Sequence, residues 1–173
     1  IDRGLVGSEM CIRDSPMQQP PELVRAICDW LDLSSRNVTV ARGADEGIDC
    51  LMRAFCVPAV DNVIICPPTF AMYAQSAMLQ GVEVRKVPLA DDFGLDTGGI
   101  MAAVDGNTKM VFVCSPNNPT ANLMDRDAVA GLCTALSGRA LVVVDETYID
   151  YADADSMATE LERFDCLLYT SPS

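Results

Sequence analysis

Met110-Val111-Phe112-Val113-Cys114-Ser115-Pro116-Asn117-Asn118-Pro119-Thr120 is an apolar run that breaks into a polar loop. Ala140 to Val144 runs the same way into Asp145-Glu146-Thr147-Tyr148. Apolar, largely β-branched runs of this length read as strands of a parallel sheet buried on both faces. Ligands of such sheets collect outside the carboxyl ends of the strands. The two polar clusters are therefore expected to share one pocket, with Asn118, Asp145 and Tyr148 as its polar residues.

The same alternation extends outward. Glu22 to Leu33 has helical apolar spacing, with Pro21 suited to the first helical position. Asn37 to Ala41 reads as a short strand. Arg42-Gly43-Ala44-Asp45-Glu46-Gly47 then leads into a helical pattern to Val57. Asn62 to Cys66 is a buried strand closed by Pro67-Pro68, and a helix runs from about Thr69 to Leu79 with Gly81 after its end. Val82 to Leu89 alternates and carries Pro88, which places it near a sheet edge. Asp92-Phe93-Gly94 is a turn, Asp96 to Val104 a short helix and Asp125 to Leu136 a longer one. Strands and helices in this order predict an α/β fold: three layers, a mostly parallel sheet with helices on both faces.

The 173 residues suffice for one domain with a core, and half of them are apolar. A net charge of −13 argues against nucleic acid or an anionic membrane as partner. No apolar run reaches the ~20 residues of a membrane helix. The absence of histidine removes His-dependent triads and His metal sites, and no metal ligand set is proposed. Eight cysteines form no Cys-x-x-Cys pair. Most lie in apolar runs, as reduced, buried thiols of a cytoplasmic protein do.

The two ends read differently. Val6 to Asp14 and Cys166 to Ser173 can be encoded by reverse-complementary DNA, and the strings resemble a transposase-type sequencing adapter. Residues 1–15 and 166–173 are therefore expected to be adapter-like, non-native segments outside the core. Residues 16–165 would then be an internal piece of a longer protein.

Asp145 ends an apolar strand, so its carboxylate calls for a cationic or N–H partner. The protonated pyridine nitrogen of pyridoxal phosphate is such a partner. Asn118 and Tyr148 can donate hydrogen bonds to the ring's phenolate oxygen. Phe70, just past a strand end, either covers a flat ring or packs in the core. The helix start at Ala44 and Asp45, with Asp45 as its expected cap, offers orphan N–H groups to a phosphate, or is simply a capped helix. A nucleotide-binding or non-catalytic α/β domain is the alternative, though neither Gly-x-Gly-x-x-Gly nor a Walker sequence occurs.

With these residues in place, the chain resembles the fold-type I, aspartate-aminotransferase-like family of pyridoxal phosphate enzymes. Arg42 to Ile48, Cys66 to Tyr73, Ser115 to Thr120 and Val144 to Tyr148 stand in the family's order and approximate spacing. The first two stretches point to its histidinol-phosphate aminotransferase branch. The resemblance covers residues 16–165 and implies part of the cofactor-binding large domain. It implies phosphate contacts from Ala44 and Asp45, ring stacking by Phe70, O3′ hydrogen bonds from Asn118 and Tyr148, and a pyridine-nitrogen salt bridge from Asp145.

The implied reaction moves an amino group between glutamate and imidazole-acetol phosphate, in a homodimer of the full-length enzyme. A phosphothreonine decarboxylase-like relative is the rival within the family. The family's imine-forming lysine lies in a Ser-Lys motif, which neither Lys86 nor Lys109 matches, so residues 16–165 are expected to be inactive alone. Ala121 stands where the family usually has Gly, and strains the loop if φ is positive there. Thr147 in place of a common Ala is expected to be harmless.

Overall fold

The computed structural model describes residues 19–170. The segment expected to be adapter-like, residues 1–15, the lead-in at residues 16–18 and the end at residues 171–173 lie outside the described residues. The chain divides into two compact units, residues 1–41 and 42–173.

In the first unit, α1 (Pro21–Leu31) begins with Pro in its first turn and ends at Asp32 in the left-handed conformation. A 3-10 turn follows at Ser35–Asn37. The strand expected at residues 37–41 does not form. The Gln19 side chain donates to the Val40 carbonyl at 2.8 Å and accepts from its N–H at 2.9 Å. Those are the groups that a neighbouring strand would have used.

The second unit is a five-stranded, all-parallel sheet, with α2 (Ala44–Phe55), β1 (Asn62–Ile65), α3 (Met72–Leu79), β2 (Glu83–Lys86), α4 (Thr97–Ala103), β3 (Thr108–Cys114), α5 (Arg126–Leu136), β4 (Leu141–Asp145) and β5 (Leu167–Thr170) in chain order. The spatial order is β2-β1-β3-β4-β5. Alternate strand residues face opposite sides. Val63, Ile65, Met110, Phe112, Cys114 and Val143 pack with Ile48 and Met52 of α2 and with Tyr73 and Ala77 of α3. Ile64, Val111, Val113, Val142 and Val144 pack with Ile100 of α4 and with Val129, Leu132, Cys133 and Leu136 of α5. Each such side chain contributes roughly 1.5–3 kcal/mol on burial, which is why runs without polar alternation sit at the centre. The charged, exposed Glu83 and Lys86 lie on edge strand β2, where charge discourages pairing with another chain.

One expectation is overturned at the other edge. Cys166 and Leu167 are buried and Leu167–Thr170 pairs with β4 from Val142 to Asp145. An apolar, β-prone segment satisfies the N–H and C=O groups that β4 would otherwise leave open, whatever its origin. Free Cys56, Cys66, Cys114, Cys133 and Cys166 are buried, as expected of thiols serving as small hydrophobes. Burial pushes the Cys66 and Cys133 thiols up to about 12.

Candidate functional site

From β1 the chain turns toward β2 on one side of the sheet; from β3 it turns toward β4 on the other. The connections, α3 and α5, cover opposite faces. The carboxyl ends of β1 and β3 therefore flank a topological switch point, where open α/β sheets form a crevice. Two loops meet there, Pro67–Phe70 after β1 and Ser115–Ala121 after β3. Asn117 of the second bonds to Thr69 and to the Pro68 carbonyl of the first.

Asp145 closes β4 one strand further on and is 3% exposed. Among the described residues, every hydrogen-bond partner of its carboxylate is a donor. The Tyr73 hydroxyl donates to Oδ2 at 2.6 Å. The Thr147 N–H at 3.1 Å, the Thr147 hydroxyl at 2.7 Å and the Thr170 hydroxyl at 2.8 Å all donate to Oδ1. Oδ2 thus keeps acceptor capacity for one further donor. Thr147, the replacement expected to be harmless, supplies through its hydroxyl a bond that alanine lacks.

Tyr73 stacks on Phe112, with centroids 4.8 Å apart and planes at 17°, and meets the Phe70 ring edge-on at 5.6 Å. Phe70, half-buried, is thus linked through Tyr73 to Asp145. Burial first, and the Asp145 charge second, raise the Tyr73 pKa, so this hydroxyl stays a donor well into the alkaline range.

Asn118 and Tyr148 lie on the loops directly after β3 and β4, half-buried and exposed respectively. Neither side chain hydrogen-bonds to a described residue, Asp145 included. They stand as unpartnered donors at the strand edge that carries the carboxylate. Ala44 and Asp45 begin α2, which opens without a side-chain cap. Asp45 is exposed within the first turn and is not the expected cap. Gly43 holds that position with φ 85°, a region glycine enters at little cost. Arg42 and Glu46 bracket the turn through an ion pair at 2.6 Å and a bond from the Arg42 N–H to Glu46.

Tyr73 and Asn117 escaped the sequence reading as site residues. Their signal was a polar group in a helix or loop that had to be buried, but their partners lie 72 and 48 residues away. Lys86 ends edge strand β2, and Lys109 pairs with Asp61 at 3.5 Å near the amino end of β3. Ala121 has φ 61°, so the strain foreseen for an Ala at this loop position is present.

A family model described as aminotransferase class I and II matches residues 11–171. The histidinol-phosphate aminotransferase of Aliivibrio fischeri strain MJ11 is 49% identical over 133 residues, which cover 77% of this chain and 38% of that relative. The enzyme of the same name from Pectobacterium atrosepticum is 46% identical over 149 residues, 86% of this chain and 42% of the relative. The chain thus spans about two fifths of the length of these curated relatives. Among solved structures, histidinol-phosphate aminotransferase from Clostridium acetobutylicum superposes with a TM-score of 0.77 at 22% identity, over 92% of this chain and 48% of that one. L-Threonine-O-3-phosphate decarboxylase from Porphyromonas gingivalis gives 0.76 at 20% identity, over 94% and 49%. These two likenesses speak to the fold.

Proposed function

Because the chain belongs to the aminotransferase class I and II family, whose members depend on pyridoxal phosphate, we propose that residues 16–165 are part of the cofactor-binding large domain of such an enzyme. The whole protein exchanges an amino group between glutamate and imidazole-acetol phosphate, in the histidine-biosynthetic direction. The substrate assignment rests on relatives 46–49% identical that bear the histidinol-phosphate aminotransferase name. The decarboxylase likeness adds nothing toward its own chemistry, since it extends only to the fold. In this reading the whole protein is a cytoplasmic homodimer acting on small molecules. The free, buried cysteines suit a reducing compartment.

The observation that carries the cofactor reading is the donor-only shell around buried Asp145, with two unpartnered donors, Asn118 and Tyr148, on the adjacent loops. When bound, pyridoxal phosphate supplies an electron sink for proton transfer at the amino-acid α-carbon. Asp145, held by Tyr73 and Thr147, would keep a proton at the ring nitrogen by opposite charge. The Asn118 amide and the Tyr148 hydroxyl donate to the ring's O3′. Phe70 would cover one ring face and keep water from it. The Ala44 and Asp45 N–H groups, at the positive end of uncapped α2, take the phosphate. Neither Lys86 nor Lys109 stands in a Ser-Lys motif, so the chain alone is read as inactive.

The test is transamination of histidinol phosphate with 2-oxoglutarate by the complete protein. Asp145→Ala is expected to lower kcat at least ~100-fold, the scale of a preorganised charge worth ~3 kcal/mol. Asn118→Ala should cost ~10-fold or less, because Tyr148 serves the same oxygen. A complete protein that ignores histidinol phosphate but turns over another amino substrate refutes the substrate assignment. An unaffected Asp145→Ala refutes the role of the carboxylate.

A further inference from the structure

Asn117 is 3% exposed, and all of its main hydrogen-bonding groups are engaged. Its Nδ2 donates to the Pro68 carbonyl at 2.8 Å and to the Thr120 hydroxyl at 2.6 Å, and its Oδ1 accepts from the Thr69 hydroxyl at 3.0 Å. Its own N–H donates to the Asn122 carbonyl at 2.9 Å, and its carbonyl accepts from the Ala121 N–H at 2.7 Å. Thr120 passes the connection on to the Asn122 side chain. One side chain therefore closes the loop after β3 and ties it to the loop after β1, across the switch point. The residues next to these ties are Phe70, beside Thr69, and Asn118, beside Asn117 itself. Neither has a side-chain hydrogen bond of its own to fix it. Among the described residues, no other hydrogen bond joins the two loops.

We propose that Asn117 is a positioning residue, which sets the spacing between the aromatic face of Phe70 and the amide of Asn118 and so preorganises the two for one flat, ring-shaped ligand. The proposal rests on the cofactor reading given above. It does not require Asn117 to touch the ligand, and it assigns a role to the residue beside the one expected to bind. Buried, fully satisfied polar networks of this kind specify a single loop arrangement.

The test uses the 173-residue chain and pyridoxamine 5′-phosphate, which binds without an imine and so needs no lysine. Two readouts are taken: the dissociation constant from ligand fluorescence, and the circular dichroism induced in the bound ligand's absorption band, scaled per bound molecule. Asn117→Ala is expected to weaken binding at least ~10-fold and to reduce the induced signal. Thr69→Val, which removes a single cross-loop bond, should do the same to a smaller degree, and Thr69→Ser should restore both values. Should Asn117→Ala fail to fold, the Thr69 pair decides. Unchanged affinity and induced signal in the folded variants overturn the proposal while wild type binds and Asp145→Ala weakens binding. A loss that only tracks the unfolded fraction overturns it too. A wild-type chain that does not bind, or an Asp145→Ala chain that binds as tightly as wild type, overturns the cofactor reading and this proposal with it.

Discussion

Tyr73→Phe isolates the contact that joins the aromatic layer to the site. The substitution keeps the ring between Phe70 and Phe112 and removes only the hydroxyl. The lost bond is short, 2.6 Å, and runs from a fully buried phenol to a carboxylate that is 3% exposed. Hydrogen bonds to charged groups contribute ~1.5–3 kcal/mol, and the upper half applies where a buried acceptor loses its donor. Oδ2 has no other donor among the described residues, so the expected cost is about 2–3 kcal/mol. For a chain of this length that is a fall in Tm of about 4–12 °C.

The assay is urea unfolding of wild type, Tyr73→Phe, Asp145→Ala and the double variant. Tyr73→Phe should cost less than ~0.5 kcal/mol once Asp145 is gone, giving a coupling near ~2 kcal/mol. The Tyr73 pKa is raised in the fold, so its contribution is complete below the unfolded tyrosine value near ~10 and is lost as pH rises through the folded value. Tyr73→Phe should remove that part of the alkaline decline. Equal costs of Tyr73→Phe with and without Asp145 would refute the coupling.

Two further outcomes follow from single positions. Ala121→Gly relieves a φ of 61° and should stabilise by roughly 0.5–1 kcal/mol, after the extra freedom of an unfolded glycine is set against the relief; a lower unfolding midpoint would contradict the strain. Glu146, 2% exposed, accepts from Ser156 at 2.5 Å and from the Met157 N–H at 2.9 Å, yet burial outweighs these bonds and raises its pKa. Its favourable contribution is therefore present below the unfolded value near ~4.5 and is lost as pH rises through the folded one. Glu146→Gln should raise the unfolding midpoint at pH 7, with the gain shrinking toward pH 4; a gain that grows on acidification would reverse the assignment.

The central strands were legible because a fully buried parallel strand leaves a continuous apolar run, as residues 110–114 and 140–144 do. The helices expected from Asp96 and from Asp125 form, and in each the Asp side chain bonds an N–H three residues on as its cap. Asn37–Ala41 misled because alternation records a preference for extended backbone, while a strand also needs a neighbour with free ladder groups. Asp45 misled because two cap-competent residues stood close together, and the positive φ at residue 43 favoured glycine. Asn118, Asp145 and Tyr148 sit at or just past strand ends, where local sequence is informative. Tyr73, Asn117 and Thr170 serve the site through partners far away in the chain. Cys166–Thr170 shows that edge pairing depends on the segment's chemistry and the open edge it meets.

The central claim is that Asp145 holds the proton of a pyridine ring. It is tested most directly by 15N NMR of pyridoxamine 5′-phosphate labelled at the ring nitrogen and bound to the 173-residue chain, at a pH above the free ligand's own ring titration. The account predicts a protonated ring nitrogen in the wild-type complex and an unprotonated one with Asp145→Ala. An unprotonated nitrogen in wild type, or the same resonance in both complexes, would contradict it.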